Sequence, residues 1–182
     1  MKFIKKWLPC LLLYVCGILG FALLPCSGII LKITIFKKST LSYLYAKDIF
    51  KKIEVTKNTP QNLINSFTWL KIIAILCVIL YVLLIIFAIV VALKNLKVIK
   101  TNKNRGLLCS ISLFALLLLV IALLVSTKIT AGYYALAYES SAKLLFAKAS
   151  GSVGLYQQIM LYVAISANIL NSLTFIKKKN SP

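Results

Sequence analysis

The sequence contains no histidine, and its 182 residues include only three carboxylates, Asp48, Glu54 and Glu139, against 22 lysines and arginines. Without histidine, Ser-His and Cys-His dyads and imidazole metal sites are excluded. Asp48 and Glu54 lie among Lys47, Lys51, Lys52 and Lys57, where ordinary ion pairing explains them better than a glycosidase-type carboxylate pair. Gly-x-Gly-x-x-Gly and P-loop patterns are also absent, so nothing cradles a nucleotide phosphate. The inventory predicts a protein that is not an enzyme and that uses neither cofactor nor metal; an activity resting on Asp48 or Glu139 is the weakest reading.

Cysteine is present but unpaired in pattern. Cys10, Cys16, Cys26, Cys77 and Cys109 all sit in or at the ends of apolar runs, and no Cys-x-x-Cys occurs. That excludes zinc and dithiol redox patterns and leaves the buried thiols as small apolar side chains. No Asn-x-Ser/Thr glycosylation acceptor occurs either. Together with a Lys, Ile and Asn bias, these absences point to a bacterial inner membrane.

What is abundant is apolar surface. The chain is 61% hydrophobic and 14% charged, with a mean hydropathy of +0.95, whereas a soluble domain is about 45–50% apolar and about 25% charged. A transmembrane span needs roughly 20 apolar residues, and four runs meet that length: 7–31, 67–93, 107–126 and 155–176. The fourth is the least apolar. An all-α transmembrane four-helix bundle is expected, as a single membrane domain over 1–182.

Lysine and arginine set the orientation, because short loops rich in them stay cytoplasmic. Lys2, Lys5 and Lys6 precede the first span; Lys94, Lys97, Lys100, Lys103 and Arg105 fill the 94–106 link; Lys177, Lys178 and Lys179 follow the fourth span. Four spans put all three clusters on one side, so both termini and the 94–106 loop are expected in the cytoplasm. The rival is a cleaved signal peptide, but the first apolar run exceeds a signal core. Leu24 and Pro25 also spoil a cleavage or lipoprotein site at Cys26.

The outer loops are then 32–66 and 127–154. The first is long for a helix–helix connection and is expected to carry a small β element, with strand character at 33–36 and 53–56. Residues 41–50 suit a strand or a short amphipathic helix. Thr59-Pro60 reads as a helix cap followed by the first helical position. In the second loop, span three is expected to continue outward as helix, with a break at 150–154, where two glycines fall. Tyr133, Tyr134, Tyr138 and Tyr156 read as an interfacial aromatic belt rather than as ligand-stacking rings.

One face carries chemistry of a kind. On a helical wheel Gln157, Gln158, Asn168, Asn171 and Ser172 share an arc of the fourth span, and such a stripe suits helix packing better than pore lining. Gly17 and Gly20 offer the first span a close-approach surface. No ionisable group lies mid-span, and Lys71 is near enough to an end to snorkel. The net charge of +19 is dealt out at span ends rather than on one soluble face, which argues against nucleic acid. Lys94, Lys97, Lys100, Lys103 and Arg105 are expected to contact anionic headgroups. The lysine-rich outer loops leave room for an anionic outer partner.

In layout, four spans with a long first outer loop and a tight basic inner link resemble the claudin and tetraspan type. Those families rely on cysteine pairs in their outer loops, which this chain lacks, so the likeness is one of topology alone. The expected function is a non-enzymatic multi-pass membrane protein acting through protein–protein contacts, as a complex subunit or membrane organiser, with lipids and other membrane subunits as partners. The alternative is a small oligomeric channel or transporter lined by the fourth span.

Overall fold

The computed structural model describes residues 2–24, 28–35, 38–45, 60–96, 105–141 and 147–179. Its elements run α1 (Lys2–Leu23), β1 (Gly28–Ile35), β2 (Lys38–Tyr45), α2 (Gln61–Asn95), α3 (Arg105–Ser141), β3 (Ala147–Val153) and α4 (Leu155–Lys179). Among the described residues the fold is mostly helical, with four helices and one small sheet. Two of the helices, α2 and α3, are long and apolar enough to cross a membrane; the apolar part of α1, Trp7–Leu23, is shorter.

The first apolar run does not stay helical to residue 31. The residue before a proline is pushed away from helical geometry, and α1 stops at Leu23, two positions before Pro25 in the sequence. The run goes on as Gly-Ile-Ile-Leu-Lys-Ile-Thr-Ile, whose β-branched residues favour a strand. Apolarity alone cannot separate these two states. Of the strands expected in the first outer loop, 33–36 falls largely within β1, and 41–45 takes the strand alternative as part of β2; 53–56 lies outside the described residues.

Helix α2 begins one residue later than expected. The Pro60 carbonyl accepts from Leu63 N at 3.0 Å and Ile64 N at 3.3 Å, so Pro60 itself occupies the cap position and Gln61 leads the helix. Thr59 lies outside the described residues. Helix α3 does continue outward, to Ser141, but residues 147–153, expected as helix ending in a glycine break, form a strand. Small residues there let it lie close beside its neighbours.

All four helices bury one stripe at alternating steps of three and four residues: from Leu63 to Asn95 on α2, Cys109 to Thr130 on α3, Gln157 to Asn171 on α4 and Leu13 to Gly20 on α1. Steps of 3.5 on average are those of left-handed helix packing. Small and polar residues are frequent in the stripes (Ala74, Cys77, Ala88, Ser112, Thr127, Ala164), whereas Leu11, Trp69, Ile111, Phe114 and Tyr162 stand exposed.

The chain forms two compact units: Met1–Ala22, Leu76–Val120 and Met160–Pro182 make the first; Leu23–Ile75 and Ile121–Ile159 make the second. In the first, α1 meets α2 at two glycines. A Cβ on Gly17 would lie 2.7 Å from Ile85 Cγ1 and 3.0 Å from the Tyr81 carbonyl, and one on Gly20 would collide with the fully buried Tyr81 ring. The expected close-approach surface is therefore occupied. Three thiols donate weakly to carbonyls of a neighbouring helix: Cys10 to Ala88 at 3.2 Å, Cys109 to Pro9 at 3.8 Å and Cys77 to Leu119 at 3.9 Å. They act as helix couplers as well as small apolar fillers.

The second unit holds the sheet, in the order β2-β1-β3 with both pairings antiparallel. Gly28 faces Tyr45 and Ile35 faces Lys38 in one pairing; Ile29 faces Val153 and Ile35 faces Ala147 in the other. The Gly28 carbonyl, at the start of β1, accepts from Gly154 N at 3.0 Å and Gln157 Nε2 at 3.4 Å. Against α3, a Cβ on Gly151 would run into the Ala131 backbone, so β3 can cross there only as glycine.

Candidate functional site

The polar stripe of α4 divides between two tasks. In the first unit, Asn168 Nδ2 donates to the Leu113 carbonyl of α3 at 2.9 Å and to Ala164 O of its own helix at 2.8 Å. Asn171 is buried, and its Nδ2 donates to Ser110 Oγ at 2.9 Å. Ser172 is exposed and hydrogen-bonds back to Asn168 O. In the second unit, Gln157 is buried against the start of β1, and its Oε1 has no hydrogen-bond partner among the described residues. Gln158 is exposed. The arc read as one face is thus three inward-bonded amides (Gln157, Asn168, Asn171) and two outward polar groups (Gln158, Ser172).

Of the basic residues expected at headgroups, Lys94 closes α2, half-buried and with an interaction partner, and Arg105 opens α3. Lys97, Lys100 and Lys103 lie outside the described residues, as do Asp48 and Glu54. Among the described residues no three His, Cys, Asp or Glu side chains gather as a metal site would require.

A second arrangement lies within the second unit, on helices that read from sequence as plain apolar spans. An open groove of about 480 Å³ runs between the first turns of α2 and the middle of α3. Its walls come from Asn62, Ser66, Trp69 and Ile73 on one side and Ala122, Ser126, Ile129 and Tyr133 on the other, joined by Asn65 and Val125. Each set steps by four, three and four residues, which keeps it on one helix face. The size is within the roughly 300–1,000 Å³ of ligand pockets, and an apolar lining with a few polar groups is their usual character.

Packing beneath the groove is specific. The buried Thr130 hydroxyl bridges the helices, lying 3.3 Å from Ser66 O on α2 and 2.8 Å from Ser126 O on α3. Phe67 and Tyr134 meet edge to face with centroids 6.2 Å apart, an arrangement favoured by the ring quadrupoles. At the rim, Gln61 Nε2 donates to Asn65 Oδ1 at 3.1 Å, and Ser66 Oγ donates to Leu63 O at 2.8 Å. One lone pair of the Asn65 oxygen is therefore engaged, and its Nδ2 keeps donors to offer.

Sequence reasoning placed Tyr133 in an aromatic belt and left Asn62, Asn65 and Trp69 without a role. The available signal was their spacing, a mixed polar and aromatic stripe beside the buried one. No protein-family model matches the chain, and no curated protein matches it.

Proposed function

We propose that this chain is a four-span integral membrane protein, with both termini on the cytoplasmic side of a bacterial inner membrane, that acts without catalysis through contacts with membrane protein partners and lipid. The observation that carries this reading is the distribution of side chains: large apolar residues stand exposed along every helix, whereas the buried stripes mix large apolar side chains such as Tyr81 and Leu113 with small and polar ones such as Ala74, Ser112, Thr127 and Asn171. That order suits a hydrocarbon solvent, in which helices associate through close approach and interhelical hydrogen bonds.

Charge spacing supports it. Residues 72–93 and 106–127 are each 22 residues free of Asp, Glu, Lys and Arg, bounded by Lys71 and Lys94 and by Arg105 and Lys128. At 1.5 Å per residue each is about 33 Å long, close to the roughly 30 Å of a bilayer's hydrocarbon core. On this reading residues 61–70 of α2 and 129–141 of α3 stand above the outer surface, together with the sheet.

Topology is tested by reporter fusions after residues 45, 100 and 179. Cytoplasmic activity at 100 and 179 and external activity at 45 are expected; any other pattern overturns the four-span reading. Partner contact is tested by purification in mild detergent, where a strictly monomeric particle without co-purifying protein counts against it. The pore reading is the less supported of the two, because Asn168 and Asn171 spend their amides on α3 of the same chain. Replacing both with Leu and measuring flux separates the two readings: altered conductance would restore the pore.

A further inference from the structure

We infer that the face of the sheet turned away from α3 lies in the outer headgroup layer of the protein's own bilayer and binds anionic phospholipid headgroups through Lys32. The inference rests on the membrane reading of α2 and α3 and adds a lipid contact to it.

Register fixes what this face carries. Residues paired across strands share a side of the sheet, and the side alternates along each strand. Gly151, paired with Leu31, lies against the Ala131 backbone, so its side faces α3. Lys32, paired with Leu41 on β2 and Ser150 on β3, belongs to the opposite side. All three are exposed, Leu41 by 59%. In the same register the next row toward the start of β1 holds Tyr43 and Ile30, and the next row toward its end holds Thr34 and Lys148. The three strands contain three lysines and no carboxylate.

The height of the face follows from the same contact. Lys128, exposed on α3, closes the charge-free stretch 106–127, and Ala131 lies three residues beyond it, about 4.5 Å further out. Gly151 crosses at Ala131, and the Lys32 row is one strand residue away, about 3.3 Å. Lys32 therefore stands within about 8 Å of the hydrocarbon edge, at the level of a headgroup layer about 5–8 Å deep, which its long stem spans. Along β1 the rows pass from Tyr43 and Ile30, nearest the head of α4, to Thr34 and Lys148, an apolar-to-polar order that matches the way out of a bilayer.

Charge and apolarity together select the occupant. Residues 23–75 and 121–159, the second unit, carry 11 lysines against three carboxylates, which repels a second copy and attracts an anion. A soluble polyanion would satisfy Lys32 and leave Leu41 in water. An anionic lipid surface takes both, with phosphate at the ammonium and interfacial apolar contact at Leu41.

The test puts a reporter on the face. The full chain carrying Trp7→Phe, Trp69→Phe and Leu41→Trp, so that its only tryptophan stands at position 41, is reconstituted in phosphatidylcholine vesicles. Nitroxide is carried near the top of the acyl chain by phosphatidylglycerol in one series and by phosphatidylcholine in the other. Half-quenching is expected at an about fivefold lower mole fraction of labelled phosphatidylglycerol, the preference that one lysine gives an anionic surface. Lys32→Gln is expected to bring the two series together, and Lys32→Arg to keep them apart. Equal quenching in the two series, or a separation unchanged by Lys32→Gln, overturns headgroup binding through Lys32; no quenching in either series overturns the placement of the face. A shift in tryptophan emission on adding soluble polyphosphate, with the two lipid series coincident, overturns the lipid in favour of a soluble polyanion. Extraction of the chain by alkaline carbonate would refute membrane insertion, and is read separately from quenching.

Discussion

In the first unit, Asn168 and Asn171 turn inward and bond α4 to α3, and the two glycines of α1 press on Tyr81. In the second, Asn62 and Asn65 stand at the rim of a groove, and Trp69 is 64% exposed beside them. The same residue type thus serves cohesion in one region and presentation in the other. Polarity in an apolar helix is therefore a poor guide to a functional face by itself; what matters is whether the amide is already satisfied by a neighbouring helix.

Breaking this contrast starts with the tightest contact. Gly151→Val forces a side chain into the Ala131 backbone, which cannot rotate away, and is expected to destabilise the second unit by about 3 kcal/mol, the upper range of overpacking, with loss of the β signal in infrared spectra. Gly20→Val meets the Tyr81 ring, which can shift in part; a loss of about 1–3 kcal/mol is expected, read as a lower melting temperature in detergent. Asn168→Leu combined with Asn171→Leu removes interhelical bonds worth roughly 0.6 kcal/mol each, so a drop near 1 kcal/mol is expected in denaturant titrations. Gly132, exposed with open space around its Cα, is the opposite case. Gly132→Ala should stabilise α3 by about 0.5–1 kcal/mol through helix propensity, as a rise in melting temperature. Asn65→Leu sharpens the comparison most while moving stability least: a change within about 0.5 kcal/mol is expected, as for an exposed position. A large loss there would mean that the rim amides hold the fold as those of α4 do.

Much of the helical layout was legible. Charge-free runs and lysine clusters located α2 and α3 to within a few residues at their inner ends, because a proline-free apolar stretch of that length has few alternatives. The hairpin was half legible: the β-branched run at 29–35 announced a strand, but its continuity with an apolar helix hid the boundary at Leu23. β3 was not legible at all. Ala-Lys-Ala-Ser-Gly-Ser-Val has little strand propensity of its own; it pairs because β1 offers an edge and Ala131 leaves room only for glycine. The groove escaped notice for a different reason. Where the outward side is apolar too, hydrophobic periodicity fades, and the buried stripe of α2, which mixes Phe67, Tyr81 and Leu84 with Ala74 and Ala88, does not stand out. Of the α4 stripe, Asn168 and Asn171 bond to α3, Gln157 braces the start of β1 and Gln158 is exposed, a division that the helical wheel does not carry.

The central strand also sets a timetable. β2 follows β1 after only two residues and can pair with it at once, but the partners of β1 on β3 are more than a hundred residues away along the chain. Closing so long a loop is entropically slow, and β3 emerges only after α2 and α3 have been made. One edge of β1 therefore waits open through most of synthesis, and the sheet is completed last, when Gly154 and Gln157 reach the Gly28 carbonyl. A nascent chain stalled before residue 147 would expose that edge, and assembly of this protein should accordingly depend on its final third far more than its helix count suggests.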